Sequence, residues 1–343
     1  MSRGNVAVFV PHNGCPHQCS FCDQRRITGR QSQPSAKEVW QLAKEAAEKQ
    51  DVSQCELAFF GGSFTAVERG YFCSLLEVAG KIRQELGFSG IRCSTRPDAI
   101  DRERLDLMKR HGFTTIELGA QCMENRVLAL NGRGHTVEEV ERASRLIKEY
   151  SFSLGLQMMT GLPGSNDAID TATAEAFVAI KPDFVRIYPT LVLPGTQLEA
   201  WYGSGEYAPQ KLNQAVDLCS ELLLLFEKHH IPVIRLGLHD TPELKEQVIA
   251  GPYHPAFRQL CESRIFLWRI LSLLGESCQP GEGEILLAVH PKSISSALGQ
   301  KRANLRELAQ KGHRVRFVQE DSVLPGEVRL RKTEKGKDGK PCC

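Results

Sequence analysis

Three closely spaced cysteines carry the clearest chemical signal in this sequence. Cys15, Cys19 and Cys22 are arranged as C-x3-C-x2-C, directly after the apolar run at residues 6–10. Thiolates at such spacing hold zinc or an iron–sulfur cluster. Because a cubane cluster has four irons, three protein thiolates leave one iron open, and an open iron can bind a small molecule.

Two purely structural roles for these cysteines are also possible. A structural zinc site would take His12 or His17 as its fourth ligand. A disulfide framework is the weaker alternative, because no apolar leader segment precedes the cysteines. Twelve cysteines in such a sequence favour a reducing, cytoplasmic location.

The cysteine spacing, with the aromatic Phe21 directly before the last cysteine, resembles the radical S-adenosylmethionine (SAM) superfamily. The resemblance implies a 4Fe-4S cluster whose open iron binds SAM. It also implies that the reduced cluster splits SAM into methionine and a 5′-deoxyadenosyl radical. We therefore expect Phe21 beside the cofactor.

Two polar runs further along the chain offer groups to a bound cofactor. Gly61 and Gly62 allow close backbone approach, and the resemblance places them, with Ser63, at the SAM amino group. Thr95 and Arg96 follow another apolar run, and the planar fork of arginine suits the SAM carboxylate. A tight turn and a surface Arg–Asp pair are the alternatives.

Later runs add candidate cofactor-binding and catalytic residues. The thioether of Met158 suits an adenine face, although methionine more often fills a core gap. Gln121 can hydrogen-bond a ribose or a substrate. Strand alternation sends Arg186 and Tyr188 to the same side, where Tyr188 could relay a proton or hydrogen atom, or serve as a structural tyrosine.

These runs follow a regular alternation of strand and helix patterns. We predict strands at residues 6–11, 56–60, 91–95, 115–118, 153–159 and 184–188, with helices between them at 35–49, 71–86, 101–111, 137–150 and 168–180. Such alternation favours a parallel sheet with right-handed crossovers. Every polar run ends a strand, where α/β barrels build active sites. We therefore predict an α/β fold with a partial (β/α)6 TIM-like barrel over residues 1–240. A possible edge strand lies at 232–238, and a doubly wound sheet is the alternative.

Several stretches between Val6 and His239 resemble the radical SAM domain of the Elongator catalytic subunit, which modifies the wobble uridine of tRNA. They lie at residues 60–65, 95–98, 117–121, 133–136, 158–164 and 187–191. The resemblance implies SAM cleavage and possible action on tRNA. The chain after His239 is too short for the acetyltransferase domain of that subunit.

The remaining sequence predicts a smaller second part. Residues 241–284 read as a linker and a connecting helix that packs on the barrel, 285–328 as a small α/β unit, and 329–343 as a mobile basic tail. The small unit resembles a KH domain. That resemblance implies RNA binding by Gly299, Lys301, Arg302 and Arg306, with further phosphate contacts from Lys311, Arg314 and Arg316. A cap with a solvated basic face is the alternative.

Composition limits the partners that we expect. No apolar run is long enough to span a membrane. From His290 onward, basic residues outnumber acidic ones about two to one, which favours a polyanionic partner. We predict a radical SAM enzyme acting on RNA and reduced by flavodoxin or ferredoxin. The alternatives are a radical SAM enzyme acting on a tetrapyrrole, and a non-catalytic RNA-binding protein with a structural metal cluster.

Overall fold

A computed structural model describes residues 4–10, 15, 18–23, 32–238, 242–277 and 283–331. The chain divides into two compact units. The first comprises residues 1–215 and 225–253, and the second comprises 216–224 and 254–343.

The first unit is built on one parallel sheet. Its strands are β1 Gly4–Val10, β2 Cys55–Gly61, β3 Gly90–Thr95, β4 Phe113–Gln121, β5 Ser153–Thr160, β6 Phe184–Pro189 and β7 Val233–Leu236. The strands lie side by side in chain order, and every neighbouring pair is parallel. A doubly wound sheet would reverse its order at a switch point, so that alternative is excluded. The predicted partial barrel is confirmed as a curled half-barrel, with the possible edge strand present as β7.

Helices connect these strands. They are α1 Ala36–Lys49, α2 Arg69–Leu86, α3 Arg102–Arg110, α4 Asn125–Leu130, α5 Val137–Glu149, α6 Asp167–Ile180, α7 Gln197–Ser204, α8 Leu212–Lys228 and α9 Pro242–Gln247. Reciprocal capping starts α1, where Ser35 and Glu38 satisfy each other's backbone N–H groups. The same device starts α5. The sequence did not predict α4 and α7, because so few residues carry little helical periodicity.

The two faces of the half-barrel sheet differ in chemistry. One face is apolar and fully buried, with Leu57 on β2, Ile91 on β3 and Leu156 on β5. The residues that alternate with them on the other face include Glu56 and Arg92. Parallel strands usually bury apolar side chains on both faces, so a charged inner face is unusual for this fold.

The second unit has its own sheet and core. Its elements are α10 Phe257–Ser277, β8 Glu284–Val289, α11 Ile294–Leu298, α12 Ala303–Gln310, β9 Arg314–Gln319 and β10 Val328–Arg331. The sheet order is β10-β8-β9, with β9 parallel and β10 antiparallel to β8. None of the described helices, α10 included, is long and apolar enough to cross a membrane.

The core of the second unit differs from the predicted arrangement. Leu267, Ile270 and Leu274 of α10 pack with Leu287 of β8 and Leu308 of α12. The helix that we expected to pack on the barrel thus fills the core of the small unit, because a three-stranded sheet needs such a partner to bury one face. Strand β10 carries the unit to Arg331, and the rest of the predicted tail lies outside the described residues.

Candidate active site

The loop that carries the three cysteines follows β1. Of the three thiols, that of Cys19 is buried and the other two are half-buried. Ser20 holds the loop on two sides, because its N–H and hydroxyl donate to Asn131 (3.1 and 2.7 Å) and its carbonyl accepts from the N–H of Leu198 (2.8 Å). The sequence pattern predicted neither Asn131 nor Leu198 as a partner of the loop, because both contacts join residues that are far apart along the chain.

Two of the predicted ligands lie close enough to influence each other. Burial raises the pKa of Cys15, and the nearby Cys19 thiol raises it further. The positive charge of Arg96, a hydrogen bond from the backbone N–H of Ser63 and the charge of Arg133 act in the opposite direction. Cationic groups favour the thiolate, which is the form that binds metal.

Arg133 touches the cysteine loop directly. Its Nη1 donates to Sγ of Cys19 at 3.1 Å, and its Nη2 donates to the carbonyl of Gly119 at 2.5 Å. Its Nε has no hydrogen-bond partner within the described chain. Thr136 caps α5 as the pattern suggested, but Arg133 is buried, so the sequence missed its place in the site. A buried guanidinium with a free N–H can bind a carboxylate.

The end of β4 brings the predicted Gln121 beside this arginine. Gln121 has a left-handed backbone (φ 66°), and the strand register shifts between Leu118 and Gln121. A Cβ at Gly119 would lie 3.1 Å from Nε2 of Gln121 and 3.4 Å from Nη2 of Arg133, so both side chains approach this glycine closely. Such bulges often re-aim a side chain next to an active site.

His135 is a second residue that the sequence analysis did not select. Its Nε2 lies 3.3 Å from the carbonyl oxygen of Ala120, and its Nδ1 has no partner within the described chain. Burial lowers the pKa of His135 to about 3, and the charge of Arg133 acts in the same direction. The imidazole is therefore neutral near pH 7, with one ring nitrogen open to a ligand.

The predicted cofactor residues after β2 and β3 contact one another. Ser63 Oγ lies 2.9 Å from Thr95 Oγ1, which lies 2.6 Å from the hydroxyl of Thr65. Arg96 directs Nε and Nη2 to the carboxylate of Asp98 at 2.9 and 3.0 Å. The fork that we expected to face the SAM carboxylate is thus occupied in this structure, as in the alternative of an Arg–Asp pair.

Gly61 and Gly62 lie against the end of β1, beside the cysteine loop. The N–H of Gly62 donates to the carbonyl of Val10 at 2.7 Å. Gly61 has φ 109°, and a Cβ there would come within 3.1 Å of the same carbonyl oxygen. These glycines therefore bring β2 close to β1 where the cysteine loop begins, and their approach to the SAM amino group stays a prediction.

The predicted methionine faces away from the loop. Met158 is fully buried on the same side of β5 as Leu154 and Leu156, which agrees with the core-filling alternative. Met159 points to the other side, where it packs against the same apolar cluster (Cys122, Val127, Leu128 and Leu162) as Phe21 of the cysteine loop. A shift of one position reverses the face of a strand, so the thioether beside the loop belongs to Met159.

A charged network fills the inner face of the sheet below this edge. The carboxylate of Glu117 accepts from Arg92 Nη1, Arg186 Nη2 and Gln157 Nε2, each at 2.9 Å. Arg92 also pairs with Glu56. All four charged side chains are buried, so each charge is compensated by another.

The two predicted catalytic residues of β6 meet at this network. Burial alone would lower the pKa of Arg186, but the charges of Glu117 and Tyr188 and the hydrogen bonds to both together outweigh burial, and the pKa is raised. Burial raises the pKa of Tyr188, although the charge of Arg186 opposes the shift. Because burial outweighs the effect of Arg186, with which Tyr188 hydrogen-bonds, Tyr188 remains a protonated phenol near neutral pH.

Several buried polar atoms lie at or after the carboxyl ends of β4 and β5, an edge of the sheet that we call the loop edge. Within the described chain Gln121 Oε1, Arg133 Nε, His135 Nδ1 and Thr160 Oγ1 have no hydrogen bond. Buried polar atoms are normally paired, so this set fits a polar ligand placed beside the thiols. No three cysteine, histidine or carboxylate groups in the described ranges form a preformed metal site. His12 and His17 of the zinc alternative lie outside those ranges.

A comparison with protein families decides between these possibilities. A profile of the radical SAM superfamily matches residues 9–174, and one of the radical SAM C-terminal domain matches residues 182–266. The chain belongs to the radical SAM superfamily. Membership confirms the expected enzyme class and implies a 4Fe-4S cluster and SAM, which suit the soft thiols and free polar atoms at the loop edge.

Relatives of this radical SAM chain include tRNA-modifying proteins. It is 29% identical to a tRNA uridine(34) acetyltransferase of Methanocaldococcus jannaschii, over 63% of this chain and 47% of the relative. It is 27% identical to a tRNA uridine(34) acetyltransferase of Dehalococcoides mccartyi, over 76% and 64%. Human Elongator complex protein 3 is 31% identical over 51% and 36%. The chain therefore spans less than two thirds of each of these relatives.

Solved structures share the radical SAM fold seen here. The archaeal Elp3 of Methanocaldococcus infernus aligns with a TM-score of 0.60 and 23% identity, over 80% of this chain and 64% of that one. Coproporphyrinogen III oxidase of Escherichia coli aligns with a TM-score of 0.51 and 19% identity, over 66% and 53%. At these identities the likeness concerns the fold alone.

The predicted RNA-binding residues lie in the second unit. Gly299, Lys301 and Arg302 all have left-handed backbones, with φ of 74°, 50° and 59°, in the turn between α11 and α12. Arg306 on α12 donates to the carbonyl of Lys301. Two consecutive left-handed residues other than glycine cost roughly 1 kcal/mol each or more, so this turn is strained where the predicted loop lies.

Proposed function

We propose that this chain is a radical SAM enzyme that modifies RNA, with tRNA as the substrate class. One observation carries the proposal. The thiols of Cys15 and Cys19 lie beside Arg133 at the edge of a half-barrel, and Arg133 is one of several residues there with a buried polar atom that has no partner in the described chain. This combination of soft ligands and free hydrogen-bonding atoms supports a cluster with a polar cofactor next to it.

The chain offers a group for each part of such a site. Cys15, Cys19 and Cys22 would hold the cluster, which when bound supplies the electron for reductive cleavage of SAM. Arg133 would hold the SAM carboxylate through its free Nε, and Gln121 would accept a hydrogen bond through its free carbonyl. A low-potential donor such as flavodoxin or ferredoxin would reduce the cluster.

Residues deeper in the half-barrel would orient the substrate. Glu117 fixes Arg186 in place through two contacts, and Arg186 in turn holds Tyr188. Because the pKa of Tyr188 is raised, its hydroxyl keeps its hydrogen and can donate it. We propose that this pair orients the reacting part of the substrate.

The choice of RNA rests on two independent supports. Several relatives carry names that state action on uridine 34 of tRNA. The second unit carries an excess of basic residues over acidic ones among residues 283–331, and a positive surface favours phosphate contacts. The likeness to coproporphyrinogen III oxidase concerns the fold and does not favour a tetrapyrrole substrate.

The cluster is tested with a cysteine variant and a matched control. After anaerobic reconstitution we expect Cys19→Ala to lose the brown iron–sulfur absorbance, to bind far less iron and to form no 5′-deoxyadenosine from SAM on reduction. Cys73→Ala, which changes a half-buried cysteine on α2, should retain all three properties. A colourless wild-type protein with one zinc per chain would overturn the proposal.

The substrate is tested separately with RNA. We expect unmodified tRNA transcripts to increase 5′-deoxyadenosine formation, and digestion of the product to reveal a nucleoside of altered mass. The Cys19→Ala protein is the control for both readouts. If SAM cleavage proceeds and no nucleoside changes, the radical chemistry stands and RNA is not the substrate.

A further inference from the structure

The strand register of the second unit gathers four arginines on one face of its sheet. Arg314 and Arg316 alternate along β9, and Arg329 and Arg331 alternate along β10. Leu286 of the central strand lies opposite both Arg316 and Arg331. Residues paired across strands share a face, so all four arginines do; we name this surface the arginine face.

The opposite face of this sheet is the buried one. Leu287, Val315, Phe317 and Leu330 point there and pack with α10 and α12. The arginine face is therefore turned away from the helices of its unit. All four arginines are exposed, and the side chain of Arg316 is 62% accessible.

The charges on the arginine face are only weakly compensated. Arg316 pairs with Glu284 at 3.3 Å, Arg329 with Glu327 at 3.0 Å, and Arg331 with Glu320. In the described part of the chain, Arg314 has no ion-pair partner. Exposed pairs of this kind contribute about 0–1 kcal/mol, so an anionic ligand can replace the glutamates at little cost.

We propose that the arginine face binds the phosphate backbone of RNA. Arginines two residues apart on one strand are about 6.8 Å apart, and β9 and β10 are about 9.6 Å apart across β8. An array of cations at these intervals suits a chain of phosphates better than one small anion. Leu286 and Ala288 of the central strand lie between the arginines and offer no aromatic ring for base stacking, so contact should be sequence-independent.

This proposal rests on the proposed action on RNA and specifies where the RNA lies. It differs from the binding loop expected at residues 299–302. That loop joins α11 and α12, which pack on the opposite face through Ala297 and Leu308. The KH resemblance grouped Arg314 and Arg316 with the loop, whereas strand alternation separates them from it.

Binding measurements with the full-length, cluster-loaded protein test the arginine face. The probes are a labelled unmodified tRNA transcript and a single-stranded oligouridylate, titrated over a range of salt concentrations. We expect Arg314→Gln/Arg316→Gln to raise the dissociation constant roughly tenfold for both probes and to reduce the salt slope by about 1 to 2. Lys37→Gln/Lys44→Gln, which removes two exposed charges from α1, should change neither.

A gain of binding provides a second readout that misfolding cannot mimic. Glu284→Gln removes the carboxylate that competes for Arg316, so we expect several-fold tighter binding of both probes. The proposal is overturned if Lys301→Gln/Arg302→Gln weakens binding while Arg314→Gln/Arg316→Gln does not. Displacement of the tRNA by polyglutamate at equal charge concentration would assign the face to an acidic protein instead. None of these outcomes depends on SAM cleavage, so this proposal can fail while the enzymatic one stands.

Discussion

Buried polar groups are paired differently on the inner face of the half-barrel and at its loop edge. On the inner face, the two carboxylates of Glu56 and Glu117 balance the charges of Arg92 and Arg186. At the loop edge, Arg133 has no carboxylate partner in the described chain, and its neighbours retain atoms without hydrogen bonds there. The inner face therefore balances its charges within the chain, whereas the edge fits a ligand that the chain does not itself supply.

The largest expected effect concerns the compensated network. Glu117→Ala would leave Arg92 and Arg186 buried near each other without their shared carboxylate. We expect the free energy of unfolding to fall by about 3–5 kcal/mol, as measured by urea denaturation followed by circular dichroism.

An exposed carboxylate provides the control for this variant. Glu103 pairs with Arg69 at the surface, so Glu103→Ala should cost less than about 1 kcal/mol. Equal losses for the two variants would show that the inner network contributes no special stability, and the contrast between the two regions would disappear.

An intermediate effect is expected for an acid near the edge that no arginine compensates. Asp170 is buried and accepts from the N–H of Gly161 and the hydroxyl of Ser165. Burial raises its pKa from 3.8 to about 6. Because the native state holds this proton more tightly than the unfolded state, stability from Asp170 is present below pH 4 and is lost as the pH rises to 6.

The variant Asp170→Asn isolates this contribution. Relative to wild type, we expect the variant to gain roughly 2–3 kcal/mol of stability as the pH rises from 4 to 6, and no more above it. Urea denaturation at several pH values measures the difference. A constant difference over that range would mean that Asp170 titrates normally and is compensated after all.

The smallest effect on stability, but a clear effect on binding, is expected at Arg133. Arg133→Gln removes two hydrogen bonds, but it also removes a buried charge that no carboxylate of the described chain compensates. Because these effects oppose each other, we expect the free energy of unfolding to change by no more than about 1 kcal/mol. Loss of a charge-assisted contact should weaken SAM binding about 10- to 100-fold, as measured by calorimetry on reconstituted protein. A large loss of stability with unchanged SAM affinity would place Arg133 among the structural residues.

Much of the fold could be predicted because its local signals are strong. The alternation of strand and helix patterns predicted a helix at 137–150, and the structure has Val137–Glu149. The apolar runs marked six strands, and a weaker one marked β7. The short α4 and α7, and strand β10, lack a periodicity long enough to be recognised, and their positions depend on tertiary contacts.

The site was less predictable than the fold. Cysteine spacing predicted the position of the loop. Arg133 belongs to the site because it is buried, and no local pattern distinguishes a buried arginine from a solvated one beside a helix cap. Met158 and Met159 look alike in sequence, and only strand alternation within the sheet shows that Met159 shares an apolar cluster with Phe21. The role of Glu117 depends on bringing β3, β4 and β6 side by side, which spacing along the chain does not reveal.

The half-barrel also has a mechanical consequence. Within the described ranges β1 and β7 terminate the sheet and are not bonded to each other. In a closed barrel, strand number and stagger fix the diameter, whereas an unclosed sheet can widen by small rotations between neighbouring strands while its ladders stay intact. The distance between its outer strands is therefore not fixed by backbone hydrogen bonds and can change without breaking any strand pair.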